Sequence, residues 1–369
     1  MDTVKIAMIG VGDISGIYLK NITGTFNGQI ELIGVCDLVR SKAEAAQEKY
    51  GIDKIYETMD EAFADPRVDI ILNLTRPYEH YAVTKAALEA GKHVYSEKPL
   101  GVDMEEGLEL TALAAKNSLL LGGAPDTFLG ASIQTCRRLI DDGFIGKPIG
   151  ARAAMVCHGH ETWHPDPEFY YKRGGGPMLD MGPYYVTALV NLLGRVQGVT
   201  GIARKSFDTR TITSEPLRGT VIDVDVPTYY TGILDFENGA TATLFATFDV
   251  YYKEQASFEV YGTDGTLFVP DPNHFGNPIK LLRPQDGEIK EIPVMYDYKE
   301  NSRALGLADM ARALKTGTAP RAGCKQTLHV LEILKAFEKS SDAKAYVKIE
   351  SPYSVEAPMD SSGMHGVVK

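Results

Sequence analysis

Cysteine is scarce in this chain. Cys36, Cys136, Cys157 and Cys324 are scattered and form no C-x-x-C pair. That argues against a disulfide framework and leaves four reduced, mostly structural thiols of a cytoplasmic protein. Tryptophan is scarcer still, with Trp163 alone. No apolar run approaches the roughly 20 residues a membrane span needs. A strand pattern starts at Val4, which leaves no room for a signal peptide ahead of it. Basic clusters are missing too, and the net charge is −11. Neither nucleic acid nor an anionic membrane surface is an expected partner.

What is present is the composition of a globular chain, 44% hydrophobic and 24% charged over 369 residues. That length predicts two domains. The apolar run Val4–Ile9 ends in Gly10-Val11-Gly12-Asp13-Ile14-Ser15-Gly16, followed by a helical stretch over 17–22. Strand, glycine turn and helix in that order receive a pyrophosphate on backbone N–H groups, with Gly10 making the turn and Gly12 admitting the phosphates. Ser15 stands at the third small position, and a plain β-turn is the alternative. The second strand, 30–36, ends in Asp37, a carboxylate suited to ribose hydroxyls and repellent to a 2′-phosphate, so NAD is favoured over NADP. Arg40, close by, could host that phosphate and keeps NADP open.

Strands and helices then alternate. The buried strand 68–74 ends in Thr75-Arg76-Pro77-Tyr78-Glu79-His80, at the strand end expected beside the nicotinamide. His80 reads either as a catalytic group or as a first-turn residue that caps or packs. The strand at 93–96 leads into Glu97-Lys98-Pro99, where Pro99 holds Lys98 extended at a strand end. A helix over 103–117 and a strand over 118–121 close a parallel, doubly wound sheet of the Rossmann kind, assigned to 1–125.

From residue 126 to 369 the pattern changes to an α+β domain with a large, mostly antiparallel open sheet. A helix is predicted over 129–142 and a strand over 149–157. Asn238-Gly239, Asp264-Gly265 and Asp286-Gly287 mark three hairpins. His158-Gly159-His160-Glu161-Thr162-Trp163-His164 contains H-E-x-x-H, but a zincin needs that motif on one helix. Gly159 and Pro165 make a helix there a poor reading, and no metal is expected. The histidines and Trp163 read instead as the wall of a pocket for a polyhydroxylated ring. After Gly174-Gly175-Gly176, a helix is predicted over 180–193, with Asp180 and Tyr184 sharing one face.

Gly10–Ser15, Thr75-x-Pro77-x-x-His80, Ala87–Val94, Glu97-Lys98-Pro99 and Gly174–Gly182 occur in the order found in the Gfo/Idh/MocA oxidoreductases, and the chain resembles that family along nearly its whole length. The resemblance implies NAD(P)-dependent oxidation or reduction of a sugar, polyol or glycoside, with C-terminal helices packing back on the first domain. It assigns Gly10, Gly12, Asp13, Ile14, Ser15, Asp37, Arg40, Thr75, Arg76, Pro77, His80, Glu97 and Lys98 to the cofactor. Lys98 becomes the active-site lysine and Asp180 and Tyr184 its partners; many members have His at position 184. A homodimer or homotetramer formed through the open sheet is implied in the same way.

Losing a hydride and a hydroxyl proton requires a general base near its working pKa. Lys98 is expected to take that proton, its pKa depressed by partial burial and the nicotinamide charge. Asp180 orients Lys98 or the substrate, Tyr184 donates to the reacting oxygen, and His164 is a reserve proton carrier. His158, His160 and Trp163 join them as substrate contacts. Two alternatives stand beside this reading: an enzyme that recycles a tightly bound NAD, and a non-catalytic NAD-binding regulator.

Overall fold

The computed structural model describes residues 3–251, 257–361 and 365–369. In chain order its elements are β1 (Val4–Ile9), α1 (Ser15–Thr23), β2 (Ile30–Cys36), α2 (Arg40–Tyr50), β3 (Lys54–Ile55), α3 (Met59–Ala64), β4 (Ile70–Asn73), α4 (His80–Glu89), β5 (His93–Ser96), α5 (Met104–Lys116) and β6 (Leu121–Gly123). There follow α6 (Ala131–Asp141), β7 (Pro148–Val156), α7 (Gly176–Asp180), α8 (Gly182–Leu193), β8 (Val196–Arg204), β9 (Thr209–Thr211), β10 (Val221–Asp223), β11 (Tyr229–Phe236) and β12 (Thr241–Thr247). The chain ends with β13 (Phe258–Gly262), β14 (Thr266–Phe268), β15 (Ile279–Leu282), β16 (Lys290–Ile292), α9 (Leu305–Thr316), α10 (Cys324–Ala343) and β17 (Val347–Lys348). Contacts divide it into two units, residues 1–130 with 296–328 and 359–369, and residues 131–295 with 329–358.

The first unit holds a six-stranded parallel sheet in the order β3-β2-β1-β4-β5-β6. The order reverses between β1 and β4, and the crevice at the carboxyl ends of those strands is where such sheets bind ligands. Gly10 sits at that point with φ +95°, and a Cβ there would stand 2.7 Å from the Leu74 carbonyl oxygen after β4. Only glycine permits both the backbone angle and the approach. Strands buried on both faces read as continuous apolar runs. Ala7, Ile9, Ile71 and Val94 of the sheet accordingly pack with Val83, Leu88 and Leu110 of α4 and α5 in one core.

The last strand begins at Leu121, three residues later than the sequence pattern predicts. Ser118 leaves α5 in the left-handed region, φ 55°, so the chain turns before it extends. The helix predicted over 129–142 also starts late, at Ala131, behind a single 3₁₀ turn at Thr127–Leu129.

In the second unit a nine-stranded sheet runs β16-β15-β14-β13-β7-β12-β11-β8-β17. All neighbours are antiparallel except β7 and β12, which pair in parallel. The three predicted hairpins join β11 to β12, β13 to β14 and β15 to β16. Helix α8 is buried along its whole length. On the opposite face Ile202 and Ile233 are exposed. The helix predicted as continuous from Asp180 is in fact two: Asp180 ends α7, and Tyr184 lies in the first turn of α8. Pro183 explains the break, because it has no N–H to donate and its ring clashes with the carbonyl four residues back. Among the described residues no helix is long and apolar enough to cross a membrane.

Candidate active site

The glycine turn after β1 meets β2 through Asp37. Asp37 Oδ2 accepts the Val11 N–H at 2.6 Å, and Oδ1 accepts that of Val39 at 2.8 Å. Two amides thus fix the carboxylate beside the loop. Ser15 Oγ donates to the Gly12 carbonyl at 2.6 Å. No side chain caps the start of α1, and nothing lies within 4 Å of where a Gly12 Cβ would stand. Open space at Gly12, an uncapped helix N-terminus and a fixed carboxylate fit a dinucleotide. Arg40 is engaged elsewhere: its guanidinium binds Glu44 at 3.1 Å and also Glu57. Those two carboxylates hold its pKa above the ordinary arginine value.

After β4, Asn73 Oδ1 accepts both the N–H and the hydroxyl of Thr75, at 3.2 and 2.7 Å. Its amide nitrogen donates to the His80 carbonyl at 3.1 Å. After β5, Glu97 is buried: its carboxylate accepts the Tyr18 hydroxyl at 2.7 Å and the Lys98 N–H at 3.1 Å. Burial, with the Glu97 charge second, pushes the Tyr18 pKa well up. Glu97 therefore secures the backbone of Lys98, whose side chain is half-buried. Gly10, Gly12, Asp37, Thr75 and Lys98 all lie at or just past carboxyl ends of strands in one sheet.

The second unit carries its own polar group. Asp180 Oδ2 lies 3.1 Å from His160 Nε2, with both side chains largely buried. The His160 ring packs on Tyr170 at 4.2 Å, Phe248 at 4.6 Å and the edge of Trp163 at 5.3 Å. Trp163 itself is 60% exposed. His164 lies against Trp163, Phe169 and Tyr170, and its Nδ1 accepts the Asp166 N–H at 3.0 Å. His158 is apart from this pair, stacked on Tyr251 at 3.6 Å. Tyr184 is buried. Burial pushes the Cys157 thiol up to about 11, away from the thiolate form.

The stretch from His158 to His164 is turn and bend, not helix. The Glu161 carboxylate belongs to a buried cluster that sequence reasoning missed. Arg210 Nε donates to Glu161 at 2.8 Å and its Nη1 to Asp249 at 3.3 Å, while Nη2 reaches the His158 and Phe248 carbonyls at 2.8 and 3.1 Å. The Tyr171 hydroxyl donates to Glu161 and that of Thr228 to Asp249. Gly159, φ +81°, is needed here, since a Cβ would collide with the Tyr171 hydroxyl and the Glu161 carboxylate. One signal could have found Arg210. In Thr209-Arg210-Thr211 the strand alternation turns the arginine inward.

Two family models match this chain: an oxidoreductase family model with an NAD-binding Rossmann fold over residues 4–123, and the Gfo/Idh/MocA C-terminal domain over residues 133–268. Among curated relatives, scyllo-inositol 2-dehydrogenase (NAD(+)) of Bacillus subtilis is 25% identical, over 86% of this chain and 88% of its own. D-glucoside 3-dehydrogenase of Escherichia coli is 28% identical over 70% and 74%. Levoglucosan dehydrogenase, solved with NADH and levoglucosan, shares the fold at a TM-score of 0.80 and 18% identity, covering 95% of this chain and all of that one. With a glycine turn, a carboxylate and a lysine placed as above and both models matching in order, the chain is an NAD(P)-binding oxidoreductase and belongs to the Gfo/Idh/MocA family.

Proposed function

We propose that the enzyme oxidises a secondary hydroxyl of a sugar, polyol or glycoside, or reduces the corresponding ketone, with NAD as its cofactor. The observation that carries this reading is the His160–Asp180 pair beside the exposed indole of Trp163. An imidazole and a carboxylate suit ring hydroxyls, and an indole suits the C–H face of the ring. The inositol, glucoside and levoglucosan dehydrogenases among the related proteins support the same substrate class.

Bound NAD supplies the hydride acceptor. Lys98 removes the hydroxyl proton, and Tyr184 donates a hydrogen bond to the reacting oxygen. His160 Nε2, 3.1 Å from Asp180 Oδ2, holds that carboxylate in place to receive substrate hydroxyls. His164 is the reserve proton carrier, with Trp163 and His158 shaping the wall. Asp180→Asn and His160→Asn are each expected to lower kcat by about 10²-fold. Acting as a unit, the double variant should be little worse than the worse single one. Multiplied losses would separate the two residues.

Asp37 favours NAD, and Arg40, occupied by two carboxylates, is poorly placed to host a 2′-phosphate. Asp37→Ser should improve NADP binding relative to NAD by about tenfold by removing like-charge repulsion. An unchanged ratio would refute this placing of the ribose. The substrate reading is tested by following the reduced-nicotinamide absorbance while polyols, aldoses and glycosides are added, with and without external NAD. Net reduction by one of them supports a dehydrogenase. Protein that arrives with NAD bound and gives no net reduction points to internal recycling, and no response to any of them would sink the reading.

A further inference from the structure

His80 is the first residue of α4 and is 1% exposed. Its Nδ1 lies 2.9 Å from the Pro99 carbonyl oxygen and its Nε2 3.0 Å from that of Thr75. A carbonyl oxygen only accepts, and a neutral imidazole has one N–H and one bare nitrogen. A neutral His80 would therefore set one lone pair against another at a position only 1% exposed, where an unmade polar contact costs most.

Two other histidines show the neutral arrangement. His93 Nδ1 accepts the Leu120 N–H at 2.8 Å. His329 Nε2 accepts the Val196 N–H at 3.2 Å, with Nδ1 2.8 Å from the Ser351 hydroxyl, and burial takes its pKa down to about 4. Each has a backbone donor facing one nitrogen. The His80 ring faces two acceptors.

We propose that His80 is a charged clamp: as an imidazolium it donates to both carbonyls, ties the loop after β4 to Lys98–Pro99 after β5, and so positions Lys98 and the cofactor-facing strand ends. Burial opposes the charge and pulls the pKa below the ordinary histidine value, and Lys98 opposes it too. The Pro99 and Thr75 carbonyls and the Glu97 carboxylate favour it. Asn73 and Thr84, which adjoin the ring's own helix and strand, are neutral. The sign follows. The clamp is complete at low pH, and as pH rises the ring must release one of the two carbonyls.

His80 is a positioning residue in this account, and the inference rests on cofactor binding at these strand ends, not on any substrate. The test is magic-angle-spinning NMR of protein labelled with ¹⁵N in histidine alone, from pH 5 to 9, beside NADH binding followed by fluorescence. His80→Gln identifies the signal. If that variant does not fold, transfer from the ring nitrogen to a ¹³C-labelled proline carbonyl does so in the unaltered protein. At pH 5 both His80 nitrogens should carry protons while His93 and His329 each show a bare one. As His80 loses a proton, NADH binding should weaken about tenfold, the worth of a weakened charge-assisted hydrogen bond. In His80→Gln, binding should be weak and independent of pH. A bare nitrogen on His80 at every pH, or NADH affinity that does not follow its titration, would overturn the clamp.

Discussion

Lys98→Met is expected to lower kcat by about 10³-fold while NADH binding and thermal stability stay near those of the unaltered protein. General-base catalysis typically contributes 10²–10⁴-fold, and methionine keeps much of the aliphatic stem while losing the proton acceptor. The surroundings make the variant clean. The backbone of Lys98 is secured by the buried Glu97 carboxylate, itself held by the Tyr18 hydroxyl, and neither contact uses the ammonium. The pH profile adds a second readout: the acid limb of kcat that belongs to Lys98 should vanish from the residual activity. Turnover within tenfold of the original, with NADH still bound, would remove Lys98 from the proton step. It would move attention to His160 and His164 of the second unit.

The features of the first unit were legible because their grammar is local. Strand, Gly10-x-Gly12 turn and helix lie within one short window. Asp37 and Lys98 can be placed at strand ends by counting apolar runs, because a parallel sheet puts its loops at the same edge. The Asn-Gly and Asp-Gly turns announced their hairpins for the same reason. What failed was tertiary. The parallel pairing of β7 with β12 leaves no hairpin to read. The spacing puts Asp180 and Tyr184 on one helix and does not show that Pro183 divides it. His160 meets Asp180 across 20 residues, and Glu161 meets Arg210 across 49. Glu161 falls inside a metal-like motif in the sequence, while its partner lies on a different strand altogether. A charged residue at an inward strand position was the one clue to that cluster.

Arg210→Met should destabilise the second unit by about 3–5 kcal/mol, the usual cost of removing one partner from a buried ion pair. For 150–250 residues that is on the order of 10 °C in Tm. The arithmetic of the cluster explains why. Arg210 pairs with both Glu161 and Asp249, each almost wholly buried, and it also satisfies two backbone carbonyls. Without it two buried carboxylates lose their shared guanidinium and keep, among the described residues, the Tyr171 and Thr228 hydroxyls as donors. The loss comes from stranded charge, so adding Glu161→Gln and Asp249→Asn to the same protein should recover at least half of it. Failure to recover would mean that packing, not charge, is what Arg210 contributes. Below its melting temperature Arg210→Met should also report on catalysis. Glu161 adjoins His160 in sequence and anchors the loop that presents it, so the variant should lose substrate affinity while NADH binding, a property of the other unit, is unchanged. A loss of stability within 1 kcal/mol, judged against the 3–5 kcal/mol expected, would show that the charges are solvated and that the loop is held by its aromatic packing alone.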